Sequence, residues 1–435
     1  MTAALRIAAL RIGVAGLGTV GAGTLSLLRT NQELIAARCG HALQVTAVAA
    51  RDRNKKRGVD LGAARWFDDP LAMAADPGID VVLELIGGSD GIAKALVETA
   101  IAQGKHVITA NKALIAHHGT ALAHQAEKAG VVLAFEAAVA GGIPAIKCLR
   151  EGLAANRIAR IYGILNGTCN YILTTMRESG REFGDVLAEA QRLGYAEADP
   201  GFDVDGIDAA HKLAILAALA FGSEVDFSGV YVEGIREVSA LDIAYADELG
   251  YRIKLLGLAR LVGDGIEQRV HPSMVRAEAP IANVDGVFNA VVAEGDFVDS
   301  ILTEGRGAGA GPTASAVVAD LIDIARGIRL PTFAVPAGRL QRLPSLQMEH
   351  HEGAYYVRLM VLDQPGVIAD VSAALRDARI SMEAMLQRGR APGEAVPVVI
   401  TTHNTREADM TEALRRISAL DTVLELPRMI RIEAL

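Results

Sequence analysis

Six residues constrain this chain more than any others: Gly16-Leu17-Gly18-Thr19-Val20-Gly21 follow directly on the apolar run Arg11 to Ala15 and open a helical pattern that continues through Arg29. A G-x-G-x-x-G turn also occurs as an ordinary tight turn, so its place between strand and helix matters. There Gly16 allows the tight bend, Gly18 lets a pyrophosphate approach the backbone, and Gly21 lets the helix pack closely. The free N–H groups and dipole of the helix start, from Leu17 through Thr19 and Val20, receive the negative charge. The following segments repeat the alternation. Gln44 to Ala50, Asp80 to Leu85, Lys105 to Thr109 and Val131 to Phe135 read as further strands, with helices from about Ile92 to Gln103 and Leu114 to Ala129. Such βαβ order predicts a doubly wound parallel sheet of the Rossmann type for the N-terminal part.

At 435 residues the chain exceeds one compact domain. After Gly141-Gly142 and Pro144 the alternation stops. A mixed α+β region follows, with a strand near Arg160 to Leu165 and helices near Asp185 to Leu193 and Ile207 to Phe221. A second glycine cluster, Gly305 to Gly311, precedes a helical run from Thr313 to Arg326 that leads the chain back to the nucleotide-binding layer. Pro331, Pro336 and Pro344 lie in a stretch that favours a linker. Beyond it, Tyr355 to Leu362, Gly366 to Ala378, Ile380 to Gln387, Pro397 to His403, Glu407 to Ser418 and a last strand to Ile432 give βαββαβ order, which is ferredoxin-like. The expected domains are therefore 1–140 with about 305–330, 141–304, a linker at 331–352, and 353–435.

A formal net charge of −9, with scattered Lys and Arg, leaves no nucleic-acid footprint. Cys39, Cys148 and Cys169 follow no zinc spacing and form no even disulfide framework, which suits a reducing cytoplasm. The N-terminus, with Arg6 and Arg11 around short apolar stretches, reads as the lead-in to a first strand rather than a signal peptide. The apolar run near Leu213 to Phe221 falls short of the ~20 residues that span a bilayer.

At the end of the second strand Arg51 stands first, and Lys55, Lys56 and Arg57 follow Asp52. That favours the 2′-phosphate of NADP over NAD, although a basic loop also simply faces water. Glu197, Asp199, Asp203, Asp205 and Asp208 fall within a dozen positions, a density that calls for a cation, but the spacing lacks the glycine and terminal glutamate of a calcium loop. Asp208 and Lys212 stand one turn apart on a helix that continues almost wholly apolar to Phe221. Buried charges need partners or uses. A desolvated lysine held by a carboxylate can give a proton to a carbonyl oxygen as hydride arrives at carbon, with Lys212 the donor and Asp208 its orienter. A buried pair that merely packs the helix is the alternative. Lys112 follows a buried strand at the carboxyl edge, within reach of cofactor or substrate. Glu136, in an apolar stretch, either joins backbone carbonyls near Val139, Gly141 and Ile143 around a hard cation or caps a helix. Cys169 offers a competing route, a thiol-dependent aldehyde dehydrogenase, but no histidine neighbours it in sequence.

Taken together, Thr109 to Lys112, Phe135 to Pro144, Asn166-Gly167-Thr168 with Asn170-Tyr171, and Gly194 to Lys212 resemble the homoserine dehydrogenase family over nearly the whole chain. The resemblance implies NAD(P)-dependent interconversion of aspartate 4-semialdehyde and homoserine in threonine, methionine and isoleucine biosynthesis. It implies that Lys212 and Asp208 serve the carbonyl chemistry, and that Tyr195, Glu197 and Asp203 hold the amino acid with Gly167 and Thr168. It gives Lys112 to both cofactor and substrate, and Gly307 and Gly309 to the cofactor. It likens Glu136, Val139, Gly141 and Ile143 to a sodium (Na+) site. The tail, with Asp363-Gln364-Pro365-Gly366-Val367, resembles an ACT domain, which suggests threonine as an allosteric effector. Nothing resembles an aspartate kinase. A homodimer built on the substrate domain is expected, or a homotetramer through the tail.

Overall fold

The computed structural model describes residues 9–388 and 391–435. The reading of residues 1–8, Arg6 included, lies outside them. The N-terminal layer runs β1 (Leu10–Ala15), α1 (Thr19–Thr30), α2 (Gln32–Cys39), β2 (Leu43–Ala49), β3 (Arg65–Phe67), α3 (Pro70–Ala75), β4 (Val81–Glu84), α4 (Ile92–Ala102), β5 (His106–Thr109), α5 (Lys112–Ala129) and β6 (Leu133–Ala134). Its six strands pair in the order β3-β2-β1-β4-β5-β6, all parallel. The order reverses between β1 and β4, and such a switch point opens a crevice at the strand ends. Gly16 occupies that corner at φ 94°, where a Cβ would meet the Leu85 carbonyl oxygen at 2.3 Å. The strand expected over Val131 to Phe135 shrinks to two residues, because Phe135 already turns the chain towards the next domain. The elements α2, β3 and α3 were not anticipated.

The middle of the chain supplies a one-turn α6 (Ala145–Lys147), β7 (Ile158–Ile164), α7 (Gly167–Ser179), α8 (Phe183–Leu193), a one-turn α9 (Gly201–Val204), α10 (Ile207–Phe221), β8 (Tyr231–Val232) and α11 (Ala240–Glu248). Four long strands follow: β9 (Tyr251–Val262), β10 (Gly265–Arg276), β11 (Phe288–Gly295) and β12 (Asp299–Arg306). Helix α10 has the predicted bounds. Gly206 and Gly222 stop it at either end, both in left-handed conformation, and every residue from Asp208 to Leu219 is buried. After β12, helix α12 (Ala310–Ala325) returns to the first layer, where Val317 and Leu321 share a core with Ile12, Leu25 and Leu28. Gly23 permits this return, since a Cβ there would lie 2.7 Å from the Ala310 carbonyl oxygen. Residues 331–352 run along the central domain, with bridges from Gln341 to Ser223 and from Ser345 to Ile266.

The C-terminal unit comprises β13 (Glu352–Leu362), α13 (Val367–Asp377), β14 (Met382–Gln387), β15 (Ala395–Thr402), the short β16 (Thr405–Arg406), α14 (Glu407–Ile417) and β17 (Arg428–Glu433). Its strands lie in the order β17-β13-β15-β14, the ferredoxin-like arrangement expected. It is not a separate bead. Strand β17 pairs in parallel with β10, Ser273 opposite Arg431 and Val275 opposite Glu433, so one sheet runs from β12 through to β14. Buried ion pairs fill this seam. Arg269 reaches Glu267 at 2.6 Å and Glu433 at 3.0 Å, and His351 faces Glu267 at 3.2 Å. Arg431, 2% exposed, bonds Glu233 at 2.7 Å and Glu407 at 3.0 Å.

Candidate active site

Helix α10, the loop after β7, the start of α7, the acidic turn before α10 and the segment after β12 converge on a cleft of about 570 Å³ between the two sheets. Lys212 Nζ lies in its wall. It donates to the Leu165 carbonyl oxygen at 2.6 Å and to Asp208 Oδ2 at 2.8 Å. An ammonium has three N–H bonds, so these two contacts leave one for the cleft. Asp208 stands between two cations, its Oδ1 3.1 Å from Lys112 Nζ at the head of α5. Burial pushes the Asp208 carboxyl up, but Lys212, Lys112 and the Asn166 amide outweigh it and hold the acid below the usual carboxylate range.

Asn166 organises the floor. Its Nδ2 donates to Asp208 Oδ2 and to Asp203 Oδ1, both at 2.8 Å, while its Oδ1 accepts from Cys169 N and caps α7. The sequence reading did not assign it a role. The signal available was an Asn placed just ahead of a helical run, which marks a cap without telling what else the side chain holds. Thr168 Oγ1 donates to the Tyr195 carbonyl oxygen at 2.7 Å, and the Tyr171 and Tyr195 rings lie 4.8 Å apart. Burial lifts the Asp203 carboxyl, and the nearby Asp208 charge adds to the rise. The cleft wall thus brings together Lys112, Gly167, Thr168, Tyr195, Asp203, Asp208 and Lys212 with Val20, Gly141, Gly307 and Gly309. Glu197 is exposed and does not line it, and among the described residues only its backbone carbonyl oxygen is hydrogen-bonded, by Gln191. Arg306, Ala308 and Thr313 line it without having been expected to.

The phosphate turn fits a dinucleotide by its spaces. A Cβ on Gly21 would fall 2.0 Å from the Gly16 carbonyl oxygen, whereas Gly18 has open space around it. Leu17 is buried and Thr19 exposed. Arg51 is exposed at the end of β2, and the guanidinium groups of Arg53 and Arg57 sit 6.0 and 5.5 Å from the Trp66 ring. Glu136 takes the cap role that its sequence left open: its two carboxylate oxygens accept from Ile146 N at 3.0 Å and Lys147 N at 2.9 Å. Burial, with Asp320 beside it, nonetheless pushes this acid up to about 7. Among the described residues no three His, Cys, Asp or Glu side chains cluster as a metal site, and no helix is long and apolar enough to cross a membrane. Cys169 is buried with its thiol facing the Asp203 carbonyl oxygen at 3.2 Å. Burial and the flanking carboxylates lift that thiol well above its usual range, which removes the thiolate that covalent catalysis needs.

Comparison with known proteins gives this layout a class. Models for a homoserine dehydrogenase NAD-binding domain, a homoserine dehydrogenase domain and an ACT domain match residues 16–136, 144–322 and 355–422. The chain is therefore an NAD(P)-dependent oxidoreductase that carries an ACT regulatory domain. It is 50% identical over 417 residues to a homoserine dehydrogenase of Pseudomonas aeruginosa, covering 94% of this chain and 95% of that protein. A crystal structure of a homoserine dehydrogenase from Thiobacillus denitrificans superposes with a TM-score of 0.92 at 50% identity, over 98% of each chain. The chain belongs to the homoserine dehydrogenase family, enzymes of amino-acid biosynthesis. A hyperthermophilic archaeal homoserine dehydrogenase in complex with NADPH, 26% identical, matches 74% of this chain and 99% of its own with a TM-score of 0.63.

Proposed function

We propose that Lys212 gives a proton to the carbonyl oxygen of aspartate 4-semialdehyde as it becomes homoserine, and takes it back from the homoserine hydroxyl in the reverse direction. The observation that carries this is a lysine only 8% exposed that lines the cleft with two of its three N–H bonds already held. Asp208 and the Leu165 carbonyl fix the direction of the third, and Lys112 keeps Asp208 ionised. Of the acidic loop, Asp203 takes the α-ammonium group with Tyr195, Gly167 and Thr168 beside it, and Glu197, which the resemblance also gave to the substrate, stands outside the cleft. Gly16 to Gly21, Lys112, Gly307 and Gly309 hold the dinucleotide, which supplies or accepts the hydride when bound. Arg51 and the basic residues after it favour NADP.

The same reading gives residues 1–140 with about 305–330 to the cofactor, 141–304 to substrate and dimer contacts, 331–352 to a linker and 353–435 to regulation. A sodium ion at Glu136 and the carbonyls of Val139, Gly141 and Ile143 would bring the raised Glu136 pKa back down towards the ordinary carboxylate range, a fit that the burial of this acid supports. Threonine bound to the ACT domain acts by preferring one of two states of a cytoplasmic dimer or tetramer. The test is nicotinamide absorbance followed with homoserine and NADP, then NAD, with and without threonine. Homoserine-dependent reduction, faster with NADP and slowed by threonine, is expected. No reduction with homoserine overturns the reading.

A further inference from the structure

The cleft holds a polar side chain that the reading above does not use. Asn289 lies on β11, is 1% exposed and lines the cleft, and among the described residues neither its Oδ1 nor its Nδ2 has a hydrogen-bond partner. A buried carboxamide with donor and acceptor both unmet is rare in folded proteins, because water-seeking atoms are desolvated for no return. The backbone around it is shaped to admit it. A Cβ on Gly307 would fall 2.2 Å from Asn289 Cγ, and one on Gly167 would fall 3.3 Å from its Oδ1. Two glycines on different segments therefore leave the room this amide occupies. Whichever way the amide is turned, it presents one donor edge and one acceptor edge.

We propose that Asn289 pairs edge to edge with the carboxamide of the nicotinamide, donating to its carbonyl oxygen and accepting from its amino group, and so fixes the turn of the ring towards Lys212. A carboxamide is the matching partner, since it offers one donor and one acceptor in a single plane. The amino-acid ammonium has other takers in Asp203 and Asp208. Gly307, which crowds Asn289, leads directly into α12, and α12 packs on the first layer. The proposal rests on the reading that this cleft seats the nicotinamide opposite Lys212.

The test is equilibrium binding to the full chain, by fluorescence or calorimetry, of three probes: NADPH, its reduced 3-acetylpyridine analogue, which replaces the amide by a methyl ketone, and 2′-phospho-ADP-ribose, which lacks the ring. The parent should bind NADPH about tenfold more tightly than the acetylpyridine analogue, the effect of one lost buried hydrogen bond. Asn289→Ala should bring that ratio near one by weakening NADPH, with 2′-phospho-ADP-ribose binding unchanged. Asn289→Asp, which fills the same space, keeps the acceptor and loses the donor, should weaken NADPH and the analogue together and leave NADPH favoured over the analogue. An Asn289→Ala variant that keeps the parent's ratio overturns the proposal, as does an Asn289→Asp variant that binds NADPH and the analogue as tightly as the parent. If the parent binds 2′-phospho-ADP-ribose as tightly as NADPH, the ring is not held in the cleft, and the reading of the cleft falls with it.

Discussion

The cleft and the β10–β17 seam bury the same kinds of charge and treat them in opposite ways. In the seam, Arg269 and Arg431 are each 2% exposed and each meets two carboxylates, and their guanidinium nitrogens are spent on protein partners. In the cleft, Lys212 meets one carboxylate and one carbonyl, and Asp208 is shared between two lysines. Saturated charge holds two domains together, whereas incompletely saturated charge facing a cavity is available for chemistry. Fully paired buried ions add little net stability over apolar packing but are costly to break.

Removing the cleft's shared acid should have a larger effect than any change in the seam. Asp208→Ala takes the orienting partner from Lys212 and leaves its charge desolvated, so kcat should fall about 100-fold or more, read by steady-state kinetics. Breaking the seam should act on stability alone. Glu433→Ala should destabilise the protein by about 3–5 kcal/mol, measured by denaturant titration, with kcat within about twofold of the parent. Arg269→Met combined with Glu433→Leu should cost much less than either change alone, and a strictly additive loss would contradict the view of the seam as a paired unit.

Glu136 tests a buried acid that belongs to neither region. Its folded value near 7 lies above the ordinary 4.5 of the unfolded chain. Its contribution to stability is therefore present below pH 4.5 and lost as pH rises through 7. A sodium ion bound to the carboxylate would restore that loss. Melting temperatures in sodium and choline chloride should agree at pH 5.5 and separate by about 2 °C or more at pH 8, sodium being the higher. The smallest effect belongs to Asp205, three residues before Asp208 but 47% exposed and paired with an exposed Arg236. Asp205→Asn should change stability by less than about 1 kcal/mol, and a large loss of activity would show that the acidic turn acts as a whole.

What the sequence discloses follows from how local each signal is. The α10 helix is legible because apolar residues fill it between two glycines, and the one-turn spacing of Asp208 and Lys212 fixes their common face. The hairpin of β9 and β10 is not. Strand β10 reads Gly-Ile-Glu-Gln-Arg-Val-His-Pro-Ser-Met-Val-Arg, and its polar residues are buried by partners as distant as His351 and Glu433. No alternation marks a strand covered on both faces. The same distance hides Asn166, whose partners lie 37 and 42 residues away, and Asn289, crowded by Gly307 and Gly167. Glu197, which the resemblance placed with the substrate, is exposed and does not line the cleft, although Gly194 and Tyr195 of the same turn do.

The most direct test of the central claim is a single turnover of Lys212→Ala, preloaded with NADPH and mixed with aspartate 4-semialdehyde, alongside a titration of NADPH binding. Loss of the proton source predicts a chemical step slower by about 1,000-fold with cofactor affinity unchanged. A rate within tenfold of the parent would contradict it.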